Sequence, residues 1–360
     1  MSDKISVIFP IFNNEDYIET CIRSVMNQTL RDIEMILIDD GSTDSAPEIC
    51  DRLAAEDPRI KVVHKKNEGV AKGENLGIDM ATGEYIAFVE ADDRILPEMY
   101  DEMYKVAKNT DADIVKCGFS YYDGQLQEVT SLYSLAREGE VFRAVDKPDI
   151  FMYHASMWAA IYKTSFIRNN NIRNIETPSA SYTDFSWMAA TYAKAEKITI
   201  VHKPFYIYTF DNANASNKQD GEKCYYKPYH CLMANKILRE AGIFEQVKEE
   251  IGYQEYKTCS NHARRIRADL REEYFKRFRA VLQDLAGDGN YQFKHFFFME
   301  KSTAKMLLKG DFKGYYRRVE MVLFIKKIIQ PLKNSKLINK MIWNLKQFKF
   351  NLTRKSNNAR

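Results

Sequence analysis

The chain has 360 residues, 45 % of them hydrophobic, enough to bury a full core and to form two domains. Its net charge of +3 is unevenly spread: residues 291–360 hold 17 Lys/Arg against 3 Asp/Glu, whereas 1–290 hold 36 against 47. Six scattered cysteines without a CxxC pair, no histidine cluster at zinc spacing, no N-terminal apolar h-region and no uncharged run of membrane-span length argue against a disulfide scaffold, a zinc module, a secreted chain and a spanning helix. The expected setting is a reducing cytoplasm, with thiols free.

The first 118 residues alternate between two periods. Ile5–Ile11 reads as a strand, and the pattern from Glu15 to Thr29 as a helix with Ile18, Ile22, Val25 and Met26 on one face. Ile33–Asp39 is the second strand, followed by a helix over about 45–56 with Asp44 before it as a turn or cap residue. Arg59–His64 predicts a third strand, and about 70–82 a helix that Gly83 would cap. Tyr85–Val89 is a fourth strand, Pro97 suits the first turn of the next helix, and Ala112–Cys117 is a fifth strand. This rhythm predicts an α/β fold, a Rossmann-like, doubly wound, mainly parallel sheet, whose ligands lie beyond the carboxyl ends of its strands. Residues 120–215 mix short strands, loops and helices, and from about 220 the pattern is helical to the end.

Two acidic clusters close strands. Asp39-Asp40-Gly41-Ser42-Thr43-Asp44 ends the second, where a carboxylate can accept from a base N–H or a ribose hydroxyl. Glu90-Ala91-Asp92-Asp93 ends the fourth. Like charges so close repel unless a cation sits among them, and Mg²⁺ or Mn²⁺ binds through one or two carboxylates plus substrate phosphates. Neither G-x-G-x-x-G nor the P-loop pattern is present, so a nucleotide diphosphate with its metal is the ligand these clusters fit.

The segments "SVIFPIFNNEDYIETCIRSVMNQTLRDIEMILIDDGSTD", "NEGVAKGENLGIDMATGEYIAFVEADD" and "MWAAIYKTSFI", in that order, resemble a family 2 glycosyltransferase of the GT-A fold. "ETPSASYTDFSW" and "YIYTFDNANAS" resemble a bacterial subgroup that builds surface polysaccharides such as capsule or lipopolysaccharide. The resemblance covers roughly residues 1–217, with 1–118 as the nucleotide-sugar-binding half and 119–217 as the acceptor half; 218–360 is a helical, basic C-terminal region. It implies an inverting transfer from a nucleotide-sugar, a UDP-sugar, to a saccharide or lipid-linked saccharide acceptor. Pro10, Phe12 and Asn13 match the loop that holds the base, with Phe12 at a stacking position. Asp40 matches the carboxylate that reads the base edge. Asp92 and Asp93 match the acids that contact ribose and metal-bound diphosphate, both as ligands of Mn²⁺ or Mg²⁺. Asp184 matches the general base. Glu90 stands where the family often has Asp, and Glu74-Asn75 where it commonly has Arg-Asn; Lys72 is the cation left to meet donor phosphate.

Two other readings use the same residues: a non-catalytic nucleotide-sugar-binding scaffold, and a nucleotidyltransferase, whose Gly-rich basic phosphate loop "FPIFNNEDY" does not supply. Trp158, Trp187, His154 and His202 read as structural. The basic tail interleaves Phe296–Phe298, Met321–Ile325, Ile342, Trp343 and Phe348 with lysines, which suits docking on an anionic membrane at its inner face; packing on the body or a homodimer interface is the alternative, and nucleic acid is not an expected partner.

Overall fold

The computed structural model describes residues 4–122, 126–129, 131–177, 182–209, 221–287 and 289–321. One compact unit runs from Met1 to Phe297 and a second from Phe298 onward. The first is built on a nine-stranded sheet. Its strands are β1 Ile5–Ile11, β2 Ile33–Asp39, β3 Ile60–His64, β4 Tyr85–Phe88, β5 Arg94–Ile95, β6 Ile114–Tyr122, β7 Leu126–Val129, β8 Ala160–Lys163 and β9 Ile198–Thr209. Their order is β3-β2-β1-β4-β8-β6-β9-β5, with β7 added on β6.

The half β3-β2-β1-β4 is parallel throughout, as the alternating pattern predicts. β1 and β2 are buried at every position, which a strand covered on both faces requires. Helices α1 Ile18–Met26, α2 Ala46–Glu56, α3 Val70–Met80 and α4 Met99–Thr110 make the crossovers. The other half is mixed. β6 runs parallel to β9, but it does not pair with β4; β8 lies between them, antiparallel to both. The doubly wound, mainly parallel expectation holds, with β8 as an antiparallel insertion between β4 and β6. β8 comes from the less regular stretch after 118, where the sequence rhythm carries no pairing information.

Two local expectations change with the structure, and that for Asp44 holds. α3 stops at Met80, so Gly83 is not its cap. Gly83 instead lies against β1, where an added Cβ would meet Ser6 N at 2.6 Å and the Ile5 carbonyl carbon at 2.8 Å. Pro97 lies before α4, and its carbonyl accepts from Thr29 N–H at 2.9 Å. Asp44 ties two helix starts together, accepting from Ala46 N–H at 3.0 Å and Glu15 N–H at 2.9 Å, while Glu15 accepts from Ser45 N–H at 3.0 Å.

The entry to β4 is held by Glu34, only 2 % exposed. It accepts from Ser6 Oγ, from Thr82 Oγ1 at 2.8 Å, from Gly83 N–H at 3.2 Å and from Lys61 at 2.7 Å. Burial alone would raise its carboxyl, but Lys61, Ser6 and Thr82 together hold it at about 2. Its folded value lies below its unfolded value of 4.5, so its stabilisation is present above about pH 4.5 and is lost as pH falls toward 2. Glu34→Gln should therefore cost roughly 1–3 kcal/mol at neutral pH and flatten the loss of stability below pH 4.5. Urea denaturation at pH 7 and pH 3 measures both; equal differences at the two pH values would contradict the role.

The helical segment from 221 to 287 does not stand apart from the sheet. α5 Thr164–Asn169 and α6 Asp184–Lys194 cover the second half, and α7 Tyr226–Glu240, α8 Phe244–Ala263 and α9 Arg271–Ala286 follow within the same compact unit. Buried His230 of α7 shares a 3.0 Å hydrogen bond with Ser186 of α6, and α8 packs on the turn Pro148–Met152. The change from mixed to helical pattern near 218 is thus not a break in packing. Phe296 is buried among Tyr253, Tyr256 and Phe293, while Phe297 and Phe298 are 71 % and 85 % exposed. The second unit begins with α10 Phe298–Leu308. The tail residues 322–360, including Ile342, Trp343 and Phe348, lie outside the described residues. Among the described residues no helix is long and apolar enough to cross a membrane.

Candidate active site

The site is assembled at the carboxyl ends of β1, β2 and β4. Pro10 lies inside β1, opposite Ile38, and not in the loop after it. Its position is permitted because β4 pairs with β1 only as far as Ile8, so the ring meets no ladder that needs an N–H. The chain turns at Phe12, 47 % exposed, and at Asn13, whose φ of +53° is a conformation Asn tolerates. Asn13 N–H donates to Ser42 Oγ at 3.0 Å and its Oδ1 accepts from Thr43 N–H at 2.8 Å. Asn13 therefore stitches the β1 loop to the β2 loop and leaves the Phe12 ring accessible.

Asp40 follows β2 and is 5 % exposed. It accepts from Gly69 N–H at 2.8 Å and Glu68 N–H at 3.0 Å, at the start of α3, and from the Lys65 ammonium. Lys65, the residue after β3, is thus part of this subsite, although its sequence position alone carries no signal. Gly41 makes the turn at φ +76°, where a Cβ would lie 2.8 Å from Asn67 N. Lys72 is held in an ion pair with Glu68 at 3.0 Å, and Glu68 also meets Lys65 at 3.2 Å. A cation is therefore present beside Asp40, but it is Lys65 and not Lys72 that contacts the carboxylate.

The second cluster divides its acids. Asp93 is 2 % exposed and turned into the protein: Oδ2 accepts from Tyr206 OH at 2.8 Å and Oδ1 from Thr209 N–H at 2.7 Å. Burial, then the charge of Asp92, pushes its carboxyl well above the usual range, against those two hydrogen bonds. The Tyr206 hydroxyl also accepts from Glu90 N–H at 3.1 Å, so one side chain of β9 fixes both ends of the Glu90–Asp93 turn. Each Asp93 oxygen already accepts a hydrogen bond from β9, so of the two acids the less buried Asp92 is the one better placed to meet an ion. Asp92 is half-buried.

Asp184 opens α6 and is half-buried. Its Oδ1 accepts from Met157 N–H at 3.2 Å. Tyr182, two residues earlier, has φ +78°, a conformation rare for a bulky residue. The Lys227 ammonium lies 4.1 Å above the Tyr182 ring. Burial raises the Asp184 carboxyl to about 6, opposed by Met157 N–H and by the charges of Lys116 and Lys227. The Glu90 carboxyl is pushed to about 8 by burial, then by Asp184 and Asp92. Glu74 of α3 is also raised, by burial and then by Glu90 and Asp184, and its Oε2 has no hydrogen-bond partner. Asp92, Glu90, Glu74 and Asp184, from four separate stretches of sequence, therefore share one electrostatic neighbourhood.

That neighbourhood fits a hard divalent cation. Its donors are carboxylate oxygens, burial and then the charges of Asp184 and Asp92 hold Glu90 largely protonated at neutrality, and a buried Glu74 oxygen is left unpartnered. Asp92, with Glu90 beside it, would hold the ion. Asp149, Glu250 and His295 also bring ligand atoms within 4.8 Å of one another, but Glu250 is already paired with His295 at 2.8 Å and Lys294 at 3.6 Å. Trp187, packed on Phe88 and Tyr162, and Trp158, stacked on Tyr206 at 4.2 Å, are core residues as the sequence suggests. His202 is structural as expected: its Nε2–H donates to the Ala136 carbonyl oxygen at 2.8 Å.

Sequence reasoning missed Lys65, Lys116, Tyr206 and Lys227. Lys116 had a signal: it interrupts the apolar run of β6 in "ADIVKCGF" and is 3 % exposed. Tyr206 had none, because any aromatic residue suits a buried strand.

Known proteins match this chain in the same region. The family model "Glycosyl transferase family 2" matches residues 6–166. The uncharacterized glycosyltransferase YibD of Escherichia coli (strain K12) is 27 % identical over 285 residues, 75 % of this chain and 81 % of YibD. The uncharacterized glycosyltransferase EpsJ of Bacillus subtilis (strain 168) is 32 % identical over 220 residues, 59 % of this chain and 62 % of EpsJ. Among solved structures, S. aureus TarS 1-349 in complex with UDP superposes with a TM-score of 0.68 at 18 % identity, covering 88 % of this chain and 90 % of TarS 1-349; the same protein has also been solved with UDP-GlcNAc. Motif order, strand-end acids, family match and shared architecture agree: residues 6–166 match glycosyl transferase family 2, and the chain is a glycosyltransferase of the GT-A fold.

Proposed function

We propose that this glycosyltransferase moves a sugar from a UDP-sugar to a hydroxyl of a saccharide or lipid-linked saccharide, with inversion, in the building of a cell-surface polysaccharide. The observation that carries the reading is the shared field of Asp92, Glu90 and Asp184, which brings a metal-type carboxylate and a base-type carboxylate to one place. Phe12 offers an exposed ring for a nucleobase, and Asp40, held by Lys65, offers a buried carboxylate acceptor for the base edge. Asp92 would hold Mn²⁺ or Mg²⁺. The ion, when bound, supplies positive charge for the departing diphosphate. Asp184 takes the proton from the acceptor hydroxyl, and single displacement needs only that one protein carboxylate as base. Support for UDP as the nucleotide comes from TarS, which is solved with it, and for the polysaccharide setting from the resemblance carried by "ETPSASYTDFSW" and "YIYTFDNANAS".

Thermal shift against UDP-, GDP- and CDP-sugars, each with and without Mn²⁺, tests the reading, since a ligand that binds only the native state raises its stability. A rise confined to UDP compounds with metal is expected. A rise with none of them would reject a nucleotide-sugar site.

The basic C-terminal region has a further proposed role, peripheral docking on an anionic membrane beside the acceptor. Residues 291–360 carry 17 Lys/Arg against 3 Asp/Glu, and Phe298 and Met321 are exposed apolar groups within the described part. Each basic residue near an anionic surface contributes about 1 kcal/mol. The full chain is expected to float with phosphatidylglycerol-containing vesicles, not with neutral ones, and to be released by high salt. Equal flotation with both vesicle types would contradict this.

A further inference from the structure

Lys116 lies on β6 with its side chain buried, and its ammonium donates to the Ser156 carbonyl oxygen at 2.9 Å. The N–H on the other side of that same peptide group, Met157 N–H, donates to Asp184 Oδ1 at 3.2 Å. The three groups form one line: ammonium, peptide, carboxylate. A cation on the oxygen of an amide draws electron density from its nitrogen and makes the N–H a stronger donor, and hydrogen bonds in series polarise one another most in a low-dielectric interior. Nothing in the packing of an apolar strand calls for an ammonium at this position; a methionine would fill the same volume without the cost of burying charge. We propose that Lys116 is a positioning residue for Asp184, acting through the Ser156–Met157 peptide to orient the carboxylate and keep it in its ionised form.

The inference rests on the reading of Asp184 as the base. The charged and titratable groups that act on Asp184 or feel it come from every side: Lys116 on β6, Lys227 on α7, Glu90 after β4, Glu74 on α3 and Tyr162 on β8. The two lysines favour its charge, and the two glutamates, when ionised, oppose it. Lys227 lies over the Tyr182 ring and, among the described residues, makes no hydrogen bond to Asp184, so it supplies field without the directional bond that Lys116 supplies. The pair is not redundant.

Lys116→Met keeps the volume and removes the charge. Lys116→Gln is a second neutral variant that can still donate. The pH dependence of kcat/KM for transfer, measured in wild type, both variants and Asp184→Asn, is the test, with thermal melting of each to show that it folds. The acid limb is expected to move up by roughly one pH unit in the neutral variants, with kcat lower below that limb and recovered above it. A uniform loss with the limb unmoved, in whichever variant folds, overturns the proposal and leaves Lys116 a structural residue. Failure of both variants to fold overturns it too, because the ammonium would then serve the core. Asp184→Asn separates this from the reading beneath it: if that variant transfers at the wild-type rate, the base is elsewhere; if it is inactive and the limb does not move in the Lys116 variants, only the present inference fails.

Discussion

Asp184→Asn should bind UDP and Mn²⁺ as well as the wild type and transfer sugar roughly 10²–10⁴-fold more slowly. The carboxylate is held by Met157 N–H at the start of α6, on a different stretch of chain from the Phe12–Asn13 and Asp40–Lys65 subsites, so its loss leaves the nucleotide contacts in place. Its negative charge also raises the Glu90 carboxyl, so removing it favours ionised Glu90, which offsets the charge lost near the cation. The sign of the wild-type pH dependence follows from the same residue. Asp184 has its carboxyl raised to about 6, and only the ionised form can take a proton, so transfer should rise as pH increases through about 6. A variant that transfers normally, or a wild-type rate that falls across that interval, would contradict the assignment.

Asp92→Asn and Asp93→Asn should differ in kind. Asp92→Asn removes a carboxylate from the cation-fitting cluster and should abolish the dependence of UDP binding on Mn²⁺. Asp93→Asn replaces a buried acceptor of the Tyr206 hydroxyl and the Thr209 N–H with a group that can serve only one of them as an acceptor oxygen. It should destabilise the fold by roughly 1–3 kcal/mol and affect Mn²⁺ affinity only through the position of the turn. Calorimetry of Mn²⁺-dependent UDP binding, alongside urea denaturation, separates the two. If Asp93→Asn loses metal-dependent binding while keeping its stability, the division of labour drawn from the structure is wrong.

The parallel half of the fold was legible because β1, β2 and β4 are buried along their whole length, the edge strand β3 less so, and each crossover is a helix with one apolar side. β1 and β2 read as continuous apolar runs, and their observed limits, Ile5–Ile11 and Ile33–Asp39, are those the sequence suggests. The insertion of β8 between β4 and β6 was not legible. Four residues, Ala160–Lys163, carry no mark of their partners, and antiparallel pairing across two distant strands is decided by packing. The same contrast holds in the site. Asp40, Asp92 and Asp184 stand out as acids at strand or helix ends, whereas the orientation of Asp93 depends on a tyrosine more than a hundred positions away. A run of acids in sequence does not say which one faces inward; the hydrogen-bond donors waiting on β9 decide that.

The central claim is that the strand-end acids form a metal-dependent UDP site served by a separate base. Calorimetric titration of UDP, with and without Mn²⁺, into the wild type, Asp92→Asn and Asp184→Asn tests it most directly. The account predicts binding that needs Mn²⁺ in the wild type, unchanged binding in Asp184→Asn, and loss of the metal-dependent part in Asp92→Asn. UDP binding that is indifferent to Mn²⁺ in the wild type, or equal in the wild type and Asp92→Asn, would contradict it.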